Sequence, residues 1–197
     1  MVMIAKKFGD DLPRLQPNLI KILESIIYVI EIGGEMGKQV TQFDIAKTIF
    51  LADYRHLGEY GRPVSFDNFV AMKFGPVPST TYDILKPSFN WSLYGLSKAP
   101  WATRDISPTT REYSRPTRSA NRNKLSQSDT SALEQAFTDV KAMGFKKTSD
   151  FTHKLPAYIE AWENRGDGKM RAMDLRKLLP DFDNDTIEEI QHASKHM

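Results

Sequence analysis

The sequence predicts a mainly α-helical fold with one small β-hairpin, an α+β class in which several helices hold a short ribbon. Three observations predict it. Residues 18–32 (NLIKILESIIYVIEI) confine Lys21, Glu24, Tyr28 and Glu31 to one narrow stripe. With Asn18 and Ser25 the other exceptions, the rest is apolar, as in a helix packed on several sides. A second helical pattern runs over 41–57, and at 62–72 the period changes to that of short strands.

In chain order, Pro17 suits the first turn of the first helix and Gly33-Gly34 is expected to stop it. Thr41 caps the second helix with Asp44 three residues on, close to a capping box, and Gly58 and Gly61 end that segment. In RPVSFDNFVAM, Asp67-Asn68 reads as the turn of the hairpin, between Val64/Phe66 and Phe69/Val70/Met72. Gly75-Pro76-Val77-Pro78 then forms a stiff corner leading into a helix that Ser79 caps and Pro87 ends. Two prolines remove two N–H groups, so this junction is not a phosphate cradle. Residues 87–124 read as irregular. Helical spacing returns at Ser128, again from Thr148 or Ser149, at Pro156–Asn164, and in two short segments at Met170–Leu179 and Asp185–His196. The domain is placed at 1–165, with 98–124 as an irregular basic insertion and 166–197 as a helical extension packed on it.

Composition narrows the chemistry. The chain has 197 residues, no cysteine, and a net charge of +2. Disulfides, thiolate metal sites and a cysteine nucleophile are excluded. Met1–Asp10 does not read as a leader, and charges interrupt Leu19–Ile32, so the expected location is cytoplasmic with no membrane contact. Residues 98–124 are locally basic, carrying Lys98, Arg104, Arg111, Arg115, Arg118, Arg122 and Lys124 against Asp105 and Glu112. Such a stretch reads as a solvated loop or an arm for an acidic partner, with Arg111, Tyr113, Arg115 and Arg118 as the contact residues.

Asp53 shares a stripe with Ala46, Phe50 and Leu57, so a buried carboxylate is expected to need Arg62, Lys73 or Tyr82. His56 and His153 read as hydrogen-bonded structural histidines, because no third ligand converges on either. DFDNDTIEEIQH (181–192) begins like a calcium loop but has Thr186 at its sixth position and His192 at its twelfth. No hydrolase, kinase or P-loop motif occurs. The sequence gives no positive case for an enzyme, a metal or a cofactor. A hydrolase built on Asp53, His56 and His153 is the least favoured reading.

TIFLADYRHLGEYGRPVSFDNFVAMKFGPVPSTTYDILK (48–86) resembles the signature of the Panacea family, the SocA-like antitoxin domain also met in phage-associated proteins. The elements that carry the likeness are Leu51-Ala52-Asp53, His56, Gly61-Arg62-Pro63, Phe69-Val70-Ala71, Lys73-Phe74-Gly75-Pro76-Val77-Pro78 and Tyr82. LSQSD (125–129) and SDFTHKLPAYIEAW (149–162), with His153 and Trp162, extend it. Leu51 replaces a commoner aromatic residue, and the arginine-rich stretch is longer than usual.

The resemblance implies a helical, non-enzymatic antitoxin that neutralises a toxin encoded beside it by direct contact. Toxins paired with this family are diverse, some of them alarmone-synthetase-like, and one branch acts as a proteolytic adaptor. The expected partner is therefore a cognate toxin, with a protease or chaperone as a further partner. The competing reading is a winged-helix-like nucleic-acid-binding regulator. VTQFDIAKTIF (40–50) looks like the first helix of a helix-turn-helix, but a hairpin stands where the recognition helix should.

Overall fold

The structure, a computed structural model, describes residues 12–179 and 184–196. The reading of Met1–Asp10 and the start of the 181–192 segment lie outside them. No helix among the described residues is long and apolar enough to cross a membrane.

Helix α1 (Leu19–Glu35) begins at Asn18, whose side chain accepts from the Lys21 N–H at 3.0 Å. It does not stop at Gly33-Gly34 as expected but runs through both. Gly33 serves close packing instead. A Cβ there would lie 2.1 Å from Val40 Cγ2 and 3.2 Å from Phe137 Cζ. Helix α2 (Gln42–Tyr60) has the expected capping box of Thr41 and Asp44 and ends at left-handed Gly61. Helix α4 (Gln127–Thr152) joins the two segments expected from the sequence, with a kink at Gly144 (φ 68°, ψ −179°) between them. These three long helices share one core, in which Ile22, Ile26, Ile49, Phe50, Leu133 and Phe137 are fully enclosed.

The hairpin exists, but one turn further along than expected. Strands β1 (Phe69–Met72) and β2 (Gly75–Pro78) pair antiparallel, so Lys73-Phe74 is its turn. Val64 and Phe66 are core residues outside any strand. Pro76 and Pro78 lie in β2, the edge strand of the sheet, where a missing N–H is tolerated. Helix α3 (Ser79–Ile84) comes directly after it.

Two further expectations are corrected. Residues 98–124 are not irregular throughout: β3 (Ala102–Ser107) and β4 (Thr110–Ser114) form a second hairpin. It is anchored by the Tyr113 N–H donating to Val40 O at 2.8 Å. Met170–Leu179 is not a helix but β5 (Met170–Ala172) followed by a 3-10 turn at Leu175–Lys177. Strand β5 pairs antiparallel with the free side of β1, giving the order β2-β1-β5. That open edge overrides the local helical pattern. The 166–197 segment therefore completes the sheet before ending in α6 (Asn184–His196). Helix α5 (Pro156–Glu163) packs against β1 and β5.

Candidate functional site

Polar groups of the signature stretch take part in three knots, built on Asp53, Asp67 and Asp129. The first surrounds Asp53, which is fully enclosed. No cation meets it. Instead the Ser65 N–H donates to Oδ1 at 2.8 Å and the Ser65 hydroxyl donates to Oδ2. Burial pushes the Asp53 carboxyl up to about 7, against those two hydrogen bonds. The expected partners lie elsewhere. Arg62 reaches Asp129, Lys73 is exposed over the Phe74 ring, and half-buried Tyr82 stacks under Lys86.

The Ser65 hydroxyl also accepts from the Asp67 N–H at 3.0 Å, leading to the second buried carboxylate. Asp67 accepts from the N–H groups of Asn68, Thr80 and Thr81 and from the Thr81 hydroxyl, at 2.8–3.0 Å. It thus caps α3 from outside the helix, the task the sequence assigns to Ser79. Asn68 binds the Leu15 backbone in both directions at 2.9 Å. The Asp-Asn pair that resembles a turn is in fact a buried staple, which is why the hairpin turns later.

The third knot holds α1, α2 and α4 together. Asp129 is fully buried, with Lys21 Nζ at 2.7 Å and Arg62 Nη1 at 3.0 Å. It also accepts from the Ser126 N–H at 2.9 Å, completing a capping box at the start of α4. Burial alone would raise its carboxyl; Lys21, the Ser126 N–H and Arg62 outweigh that and hold it below the ordinary value. His56 sits beside it as a neutral structural ring. Its Nδ1–H donates to Arg62 O at 2.7 Å, and Nε2 accepts from the Ser128 hydroxyl at 3.0 Å. Burial lowers its pKa.

Gly75, Pro76 and His153 frame a buried amine that the sequence reading missed. Lys47 is 1% exposed and donates to Pro76 O at 2.9 Å. Burial pulls it down to about 7. Its signal was available: Phe43, Lys47 and Phe50 succeed one another at helical spacing on an apolar stripe. His153 departs from expectation, since its Nε2 is buried without a hydrogen-bond partner among the described residues. The ring stacks on Tyr158 at 4.6 Å, Tyr158 lies 6.1 Å from Trp162, and Arg165 covers Trp162 at 3.7 Å. Pro78 leads straight into α3.

Asp53 lies in the first knot, His56 in the third and His153 outside all three, stacked on Tyr158, and no hydrogen bond or ion pair among the described residues joins them into a hydrolytic set. No group of three His, Asp or Glu side chains among the described residues could hold a metal ion.

The profile of the family described as antitoxin SocA-like, Panacea domain, matches residues 45–159. The chain belongs to that family. No curated protein and no solved structure matches it. The Panacea match spans α2, both hairpins and α4 and reaches into α5, so all three knots draw on it.

The basic stretch lies within the match, and three of its seven cations hold acids of this chain. Arg118 grips Glu24 through two bonds of 2.6 and 2.8 Å, and Arg111 grips Asp105 at 2.7 Å. Arg104 meets Glu112 at 2.7 Å. Tyr113 is in the core, with its hydroxyl donating to Leu85 O at 2.7 Å. Burial raises it to about 12. Of the four residues expected to meet a partner, Arg118 is exposed but held by Glu24, and Arg115 stands exposed at a left-handed φ of 47°.

Lys47 makes folding depend on pH. In the unfolded chain an ordinary lysine keeps its proton to 10.5, whereas the folded protein releases it near 7. The unfolded state then binds more protons, so stability rises with pH, by at most about 1.4 kcal/mol per unit. Denaturant melts between pH 7.5 and 9.5 are expected to show that rise. Lys47→Met is expected to flatten it; an unchanged slope would refute the assignment.

Proposed function

We propose that this protein is an antitoxin that neutralises a toxin encoded beside it by direct protein–protein contact, without a catalytic step of its own. The family match over residues 45–159 carries the reading. The chemistry of the knots supports it. Asp53, Asp67 and Asp129, the groups with the most potential for reaction, are each hydrogen-bonded into the scaffold. A rigid helix–hairpin platform suits a standard interface of roughly 800 Å² per partner.

The nucleic-acid-binding alternative has less support. Helix α2 continues unbroken to Tyr60, and the next regular element is the signature hairpin rather than a recognition helix. Proteolytic delivery of the toxin is compatible with the same contact surface and differs in its consequence.

Co-expression with the neighbouring gene tests the reading. Growth arrest caused by that gene product alone, and its relief by this protein, is the expected result. Toxicity unaffected by this protein would overturn it. Relief that vanishes in a protease-deficient host would favour delivery.

A further inference from the structure

We propose that the turn of the first hairpin and the kink of α4 form the docking surface for an acidic protein partner. The inference rests on the antitoxin reading and takes the toxin as that partner.

Three phenylalanines from three distant segments meet there. Phe43 comes from the first turn of α2, Phe74 from the β1–β2 turn, and Phe145 from the position immediately after the kink at Gly144. The Phe145 ring lies 4.6 Å from Phe43 and 5.1 Å from Phe74, centroid to centroid. Phe74 is 49% exposed and Phe145 51%. A joined group of half-exposed aromatic rings is the kind of anchor that dominates protein interfaces once it is covered.

The charge around the rings selects the partner. Lys73 is exposed with Nζ 5.4 Å from the Phe74 ring, and exposed Lys146 and Lys147 come directly after Phe145. None of the three has an ion pair among the described residues. Asp150 is the one acid between 144 and 154, and Lys154 adds a further cation. The second hairpin and the segment after it are the contrast: Arg104, Arg111 and Arg118 already hold acids of this chain. Cations left unpaired beside exposed aromatic rings complement an acidic surface.

A second copy of this chain would bring like charges together. A nucleic acid would need open ring faces for stacking, whereas Phe145 is flanked by Phe43 and Phe74.

The test measures binding of the toxin encoded beside this gene to the full chain, by calorimetry and by growth rescue. Phe74→Ser/Phe145→Ser is expected to weaken binding by about 100-fold or more, with some loss of melting temperature because each ring is half buried in the cluster. Lys73→Glu/Lys147→Glu alters exposed groups alone and is expected to slow association and reduce its salt dependence. Arg104→Glu/Arg111→Glu is expected to bind as wild type. If the wild type neutralises and both patch variants bind equally well, the surface lies elsewhere while the antitoxin reading stands. If the wild type does not bind, the reading fails and this inference falls with it. A wild-type dimer dissociated by the phenylalanine variant would overturn the inference in favour of self-association. A gel shift abolished by the same variant would overturn it in favour of nucleic acid.

Discussion

Replacing Asp129 by alanine is expected to destabilise the protein by about 3–5 kcal/mol, the usual loss when one partner of a buried charge cluster is removed. Its carboxylate is fully enclosed and serves Lys21, Arg62 and the Ser126 N–H together. Alanine leaves Lys21, 12% exposed, without its acid and removes the reciprocal half of the α4 capping box, the bond from the Ser126 N–H. In a chain of this length the melting temperature falls by roughly 10 °C. The pH dependence has a definite sign. The folded pKa is depressed below the ordinary 3.8, so the contribution is complete above that value. It is lost as pH falls through the folded pKa. Asp129→Asn should remove this acid leg while keeping the side-chain volume. A melting temperature within about 2 °C of wild type for Asp129→Ala would mean that the three helices are not tied at this point.

The second large effect is expected at Gly75. Its φ is +100°, outside the conformations that side-chain-bearing residues adopt with ease. A Cβ there would lie 2.4 Å from Lys47 Nζ and 2.5 Å from Thr152 Oγ1. Gly75→Ala therefore imposes backbone strain and also pushes the buried amine off Pro76 O, which accepts its hydrogen bond at 2.9 Å. Strain of about 1–2 kcal/mol and a disrupted buried hydrogen bond of similar cost give about 2–4 kcal/mol together. Chemical denaturation should show it. Gly75→Ala in a Lys47→Met background should cost less, since the shorter, neutral side chain can yield. Equal costs in both backgrounds would assign the whole effect to the backbone.

The helices were legible because their signals are local. Thr41 with Asp44, and the thin polar stripe of 18–32, act within one or two turns. Asp53 was legible as buried, since its stripe is otherwise apolar. Its partner was not, because Ser65 reaches it through a loop whose path depends on Asp67 and Asn68. The Asp67-Asn68 pair misled for the same reason: residues suited to turns are also suited to capping and stapling, and burial decided which. Met170–Ala172 became a strand because β1 offered an open edge about 100 residues earlier, which no local pattern records. Gly33 misled because a glycine that permits close packing has the same letter as one that ends a helix. In the basic stretch, sequence counted the cations correctly, but Glu24 lies 94 residues from Arg118, so their pairing could not be read.

We propose that this Panacea-family chain works as a passive platform, with Asp53, Asp67 and Asp129 bound into the scaffold and its effect exerted by occupancy. Titrating the purified toxin encoded beside it with increasing amounts of this protein, and monitoring toxin activity over time, tests that most directly. Inhibition should end at a fixed molar ratio, be complete on mixing, and reverse on dilution as binding does. Inactivation of many equivalents of toxin by one equivalent of this protein, growing with time, would contradict it.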